Sequence, residues 1–287
     1  MNKYFLPLFI SLLFSFTSHA EELKDLECPS RTDLPPPFFS QTKLKTPKGS
    51  IILLPGLNFK PEKMDELANL LNQTGYDTYR LSLTGNFQGS PEASSQANWF
   101  SQIKDSWCRA KANNSSKIIL AGLSMGGSLA VNFVDKNPNF KIDKLLLFAP
   151  AIEIKFYANF LYGITWLRFF DVSLPSFTPE AYRAKKFTSL KTYETLLELE
   201  TDSQNLINSE ALSNTPTLIF LNPNDSLVSY SDTLSWIKAK KLIDWRLSTI
   251  NSKPKISGLK DHIFTDEQSA GTEAWMKIKN EIRKFIK

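Results

Sequence analysis

Four stretches of the chain are apolar almost without interruption: "SIILLPG" from Ser50, "KIILAGLS" from Lys117, "DKLLLFAPAI" from Asp143 and "TPTLIFLNPND" from Thr215. Between and around them the apolar residues fall at helical spacing. In "PEKMDELANLLNQTG" Met64, Leu67, Leu70 and Leu71 share one face, and Gly75 marks the stop. In "SSQANWFSQIKDSWCRAKA" Trp99, Ile103 and Trp107 form a stripe. "MGGSLAVNFVDKNP" reads as a helix stopped by Pro138, "SYSDTLSWIKAKKLI" as another, and a last helix is predicted near Glu267–Ile286. "YDTYRLSLTG" and "DWRLSTI" complete the strands, and "FFSQTKLKT" is a further candidate strand. A strand apolar on both faces borders water on neither. The alternation therefore predicts an α/β fold, with a mostly parallel sheet and helices on both faces.

The rhythm stops after Ile152 and resumes near residue 211. The expected organisation is a core of residues 48–152 and 211–287, with 153–210 inserted as a helical cap above the sheet. Residues 21–47 are poorly patterned; the prolines of "LPPPFF" hold them extended, as an N-terminal arm. Residues 1–20 have a separate logic. Lys3, an apolar stretch from Tyr4 to Phe16, and small residues ending at Ala20 make the layout of a secretory signal peptide. The expected mature chain starts at Glu21, exported to the periplasm or beyond. The apolar stretch is too short to span a bilayer comfortably.

Composition adds little to this picture and contradicts none of it. The chain has 287 residues, 42% hydrophobic and 22% charged, which fits a folded globular protein. The formal charge of +5 is mild and its lysines are scattered, so solvated helix faces are preferred to a nucleic-acid surface. The two cysteines, Cys28 and Cys108, are candidates for a disulfide in an oxidising compartment. One histidine and two distant cysteines make no metal motif after leader removal, and no cofactor is expected.

The chemistry gathers around "GLSMGG", Gly122 to Gly127, between a strand and a helix. A sharp strand-to-helix turn would hold the Ser124 hydroxyl exposed, with glycines two positions either side because a side chain there would collide. Serine is a weak nucleophile and needs a base. His19 leaves with the leader, so His262 in "LKDHIF" is the one imidazole of the mature chain. Asp225 in "NPNDSLV" follows a strand and completes the order Ser…Asp…His. Asp232, Glu153 and Asp261 are rivals for the acid. Backbone amides of Met125, after the nucleophile, and Leu57, after "IILLPG", are the expected oxyanion donors.

Together these residues resemble the α/β-hydrolase superfamily, and within it the monoglyceride lipase and serine aminopeptidase-like branch. The resemblance runs from about Gly49 to the C-terminus, on "LLPGLN", "LTGNFQGSPEAS", "GLSMGG", "NPNDSLV" and "DHIF". It implies Ser124 as nucleophile, Asp225 and His262 as relay, and Leu57 and Met125 at the oxyanion. The chain departs from the pattern at Pro55, and at "GNFQGS", where relatives often carry a histidine.

The cap should carry the specificity. "FYANFLYGITWLRFF" holds seven aromatics, of which Phe156, Phe160, Trp166, Phe169 and Phe170 are candidate substrate contacts. They are read either as mutual packing or as an acyl tunnel that could touch a membrane surface. "YETLLELETDSQNLI" reads as an ordinary amphipathic helix. The expected activity is cleavage of carboxylic esters with medium or long acyl groups, lipid-like, through an acyl-enzyme. An aminopeptidase or acyltransferase would use the same machinery, the former with an acidic cap residue such as Glu153, Glu180, Glu194, Glu198 or Glu200. A non-catalytic binding protein is the alternative of a different class.

Overall fold

The structure, a computed structural model, describes Cys28, residues 34–155, Gly163, and residues 172–255 and 261–287. The leader and the five aromatics Phe156, Phe160, Trp166, Phe169 and Phe170 lie outside the described residues.

The described elements, in chain order, are β1 (Phe38–Ser40), β2 (Gly49–Leu54), α1 (Asp65–Gln73), β3 (Tyr76–Arg80), α2 (Gln96–Ala112), β4 (Ile118–Leu123), α3 (Met125–Lys136) and β5 (Lys144–Phe148). Then follow β6 (Ser173–Pro175), β7 (Phe187–Ser189), α4 (Leu190–Gln204), α5 (Ser209–Ser213), β8 (Thr217–Leu221), α6 (Tyr230–Ala239), β9 (Trp245–Thr249), α7 (Glu267–Ala270) and α8 (Thr272–Phe285). The main sheet has the order β1-β3-β2-β4-β5-β8-β9. All its neighbours are parallel except β1, which runs antiparallel along β3 and gives the N-terminal arm a place in the sheet.

The uninterrupted apolar strands are explained by what covers them. Ile52, Leu54, Leu120, Leu145 and Leu147 face one layer, with Trp99, Ile103 and Trp107 of α2 and Leu129 and Phe133 of α3. Their neighbours Ile51, Leu53, Ile119, Leu146 and Phe148 face the other, with Leu67 and Leu71 of α1 and Trp275, Ile278 and Ile282 of α8. Successive side chains of a strand point to opposite faces, so two covered faces demand apolar residues at every position.

Two elements differ from the sequence expectation. The final helix is two, α7 and α8, divided at Gly271, whose φ of 82° and ψ of 155° are not helical. A side chain there would meet the Lys253 carbonyl at 2.4 Å, so the close approach of the loop after β9 fixes the break. Helix α4 is not a simple amphipathic surface helix. Tyr193, Leu197, Thr192, Thr195, Leu199 and Ser203 are all buried, on more than one face. It packs between α3 and the cavity described below. Asn132, buried on α3, donates from Nδ2 to Ser128 O, Leu199 O and Ser203 Oγ, each at 2.9 Å, and so stitches the two helices together.

Strand order reverses between β2 and β4: the chain steps from β2 outward to β3, then returns to the other side of β2. Open α/β sheets form their crevice beyond the carboxyl ends of the strands at such a reversal. The loop from Leu54 to Leu57 and the turn at Ser124 both lie there, since Leu54 is in register with Gly122.

Candidate active site

Ser124 sits between β4 and α3 with φ 52° and ψ −117°. A non-glycine residue held there stores about 1–3 kcal/mol of strain. Its backbone explains how the strain is contained. Ser124 N–H donates to Phe148 O at 2.8 Å, and Ser124 O accepts from the amides of Gly127 at 2.9 Å and Ala151 at 3.0 Å. The flanking glycines are required by contact. A Cβ on Gly122 would lie 2.3 Å from Gly126 O, and one on Gly126 would lie 2.2 Å from Leu54 O. The turn is thus packed backbone against backbone, with no room for even a methyl group.

His262 Nε2 lies 2.8 Å from Ser124 Oγ, and His262 Nδ1 lies 2.7 Å from Asp225 Oδ2. Asp225 is 2% exposed and His262 7%. The other Asp225 oxygen accepts from the amides of Leu227 (2.8 Å) and Val228 (3.0 Å), which fixes the carboxylate's plane. A carboxylate can only accept, so it selects the imidazole with its proton on Nδ1 and leaves Nε2 free to accept from Ser124.

The rival acids are otherwise engaged. Asp261 accepts from Ser252 Oγ at 2.7 Å, Asp232 from Ser229 Oγ at 2.7 Å, and Glu153 from Gln204 Nε2 at 2.8 Å. Burial raises the Glu153 pKa; the Gln204 bond opposes this, and Glu200 and Asp232 add to the rise.

The loop after β2 lies beside the serine: a Cβ on Gly56 would be 3.5 Å from Ser124 Cβ. Among the described residues nothing accepts from the amides of Leu57 or Met125. Met125 is the first residue of α3, so its amide belongs to the electropositive end of that helix. Segment 178–185 packs along the Leu57–Lys60 loop, with an antiparallel bridge between Phe59 and Arg183. Thr178 Oγ1 donates to Leu57 O (2.7 Å), Ala184 N–H to Asn58 O (2.9 Å), and Lys60 N–H to Tyr182 O (2.9 Å).

A cavity of about 260 Å³ opens over Ser124 and His262. Its described walls include Ile154, Phe177, Tyr193, Leu196, Leu197 and Leu227. Burial pushes the Tyr193 phenol up to about 12, so it stays a neutral hydroxyl. None of the five glutamates considered for amine binding is among the described wall residues. The sequence reading missed the α4 contribution. The i, i+3, i+4 spacing of Tyr193, Leu196 and Leu197 was visible, but nothing in it distinguishes a cavity wall from a core contact. Cys28 and Cys108 form a disulfide with a Cα separation of 5.7 Å, joining the arm to α2.

Residues 45–252 match the family model described as "Serine aminopeptidase, S33". No curated protein sequence matches the chain. Among solved structures, a soluble variant of the monoglyceride lipase of Saccharomyces cerevisiae, in complex with a substrate analogue, superposes with a TM-score of 0.69 at 13% identity. The match covers 90% of this chain and 97% of that one. A monoacylglycerol lipase from Paleococcus ferrophilus gives a TM-score of 0.66 at 15% identity, covering 87% and 98%. Est1E of Butyrivibrio proteoclasticus with bound ferulic acid gives 0.56 at 16%, covering 87% and 92%. At these identities the structural likeness speaks for the fold alone. The fold, the strand order and the family match agree: this chain belongs to the S33 serine aminopeptidase family of α/β hydrolases.

Proposed function

We propose that this protein is an exported serine hydrolase that cleaves carboxylic esters with an apolar, medium-length acyl group. The observation that carries the reading is the chain Ser124 Oγ–His262–Asp225, at 2.8 and 2.7 Å, on the floor of an apolar cavity. His262 Nε2 takes the Ser124 proton as Oγ attacks the ester carbonyl. Asp225 holds the imidazole and stabilises the imidazolium. The amides of Met125 and Leu57 receive the negative oxygen. The imidazolium then gives its proton to the departing alkoxide, which leaves as the alcohol. Water, deprotonated by His262, attacks the acyl-serine; the bond to Ser124 Oγ breaks, the imidazolium returns its proton to Oγ, and the acid is released.

The cavity favours ester over peptide substrates. A free N-terminal amine needs a carboxylate, and the described wall offers none. Its volume lies just below the roughly 300–1,000 Å³ of small-molecule sites, which favours a medium over a long acyl chain. Export is supported by the Cys28–Cys108 bridge, a bond suited to an oxidising compartment, and by the leader-like first 20 residues.

The test is turnover of p-nitrophenyl esters of rising acyl length by the parent and by Ser124→Ala. The expected result is a maximum at medium length that vanishes in the variant. Equal turnover by the variant would remove Ser124 from the chemistry, and a maximum at acetate would make the apolar wall irrelevant to specificity.

A further inference from the structure

Asn86 is a buried asparagine, 3% exposed, in the "TGNFQGS" loop after β3. It donates from Nδ2 to Gly56 O at 3.0 Å and accepts at Oδ1 from Asn58 N–H at 2.6 Å. The two bonds bracket Leu57. Gly56 C=O and Leu57 N–H belong to one peptide unit, and a trans planar unit points them in opposite directions. Anchoring the carbonyl on Asn86 therefore turns the Leu57 N–H away from Asn86. The next unit carries Leu57 C=O and Asn58 N–H. Thr178 Oγ1 holds the first at 2.7 Å, and Asn86 holds the second. Neither unit can rotate without breaking a buried hydrogen bond.

Asn86 is itself firmly seated. Its own amide donates to Leu83 O at 3.1 Å. Thr84, two residues earlier, is held by Trp99 Nε1 donating to its carbonyl at 2.8 Å and by Gln102 Oε1 accepting from its amide at 3.0 Å and its hydroxyl at 3.2 Å. A primary amide sets an acceptor oxygen and a donor NH₂ side by side on a short rigid fork, and both ends are used here. A donor at Gly56 O also polarises that peptide, making its N–H a stronger donor.

We infer that Asn86 is a positioning residue that aims the Leu57 amide at the developing oxyanion. The inference rests on the hydrolase reading above. Asn86 lines no part of the described cavity wall and touches no reacting atom; it acts through the loop.

The experiment compares the parent with Asn86→Ala and the isosteric Asn86→Asp, which keeps an acceptor for Asn58 N–H but opposes a carboxylate to Gly56 O. Each is assayed for kcat/KM on p-nitrophenyl octanoate. Each is also assayed for binding of an octyl trifluoromethyl ketone, which forms an oxyanion on the serine, and of the unreactive octyl methyl ketone. Deleting an oxyanion donor outright costs about 10²–10³ in rate; a donor freed to swing should cost roughly 10–100-fold. Both variants are expected to lose that factor in kcat/KM and in trifluoromethyl ketone affinity, with methyl ketone affinity within about twofold of the parent. Should Asn86→Ala fail to fold, Asn86→Asp carries the test. Unchanged kcat/KM, or equal weakening of both ketones, would overturn the positioning role while leaving the hydrolase reading intact. A parent that neither turns over esters nor reacts at Ser124 with a fluorophosphonate would overturn both.

Discussion

At the scale of the residue, Asp225 holds three atoms in place with two oxygens. Asp225→Asn keeps an acceptor for the Leu227 and Val228 amides and presents an NH₂ to His262 Nδ1. The imidazole must then accept at Nδ1 and carry its proton on Nε2, facing Ser124. The expected outcome is a folded protein whose kcat falls by roughly 10³–10⁴-fold, with little change in melting temperature. Gly126→Ala asks the opposite question. Its methyl would enter 2.2 Å from Leu54 O, so both urea stability and activity should fall, by about 1–3 kcal/mol for stability. Unaltered stability would show that the elbow is looser than its contacts imply. Ser124, His262 and Asp225 were legible in the sequence because spacing, chain order and the scarcity of histidine each exposed them. Asn86 was not. A lone asparagine between two glycines reads as a turn residue, and only the fold reveals that its amide faces the loop after β2.

At the scale of the element, the attachment of α4 to α3 can be broken on its own. Asn132→Ala removes three donations, to Ser128 O, Leu199 O and Ser203 Oγ, and leaves two helices facing each other across a small gap. A loss of about 2–3 kcal/mol in denaturant unfolding is expected, and a loss under 0.5 kcal/mol would mean that apolar contacts alone hold α4. Glu153, just after β5, gives a pH test. Its folded pKa is raised, so the folded state resists its ionisation and stability is lost as pH rises through that value. Glu153→Gln preserves an acceptor for Gln204. It should match the parent below about pH 4 and be the more stable protein at pH 7; a pH-independent difference would contradict this. The alternation of strands and helices was readable because two covered faces leave few polar positions in the central strands. The division of the last helix was hidden, since it depends on where the loop at Lys253 crosses Gly271.

At the scale of the whole molecule, the Cys28–Cys108 bridge closes 80 residues of chain, spanning the arm, β1, β2, α1, β3 and most of α2. Loop closure of this length corresponds to about 4.5 kcal/mol of unfolded-state entropy. Cys28→Ser with Cys108→Ser should lower the melting temperature by several degrees with ester turnover intact at 25 °C; loss of turnover in a folded double variant would tie the arm to the site. The pairing of residues 178–185 with Leu57–Lys60 matters for anyone recombining such proteins. Exchanging residues 153–210 wholesale would carry off the support of the loop beside Ser124 along with the α4 side chains that line the cavity. Chimaeras that retain this stretch from the host and replace only what surrounds it should keep their rate while changing their preference. Under the proposed function, the boundary between scaffold and selector would then run through residues 153–210, and not along their edge.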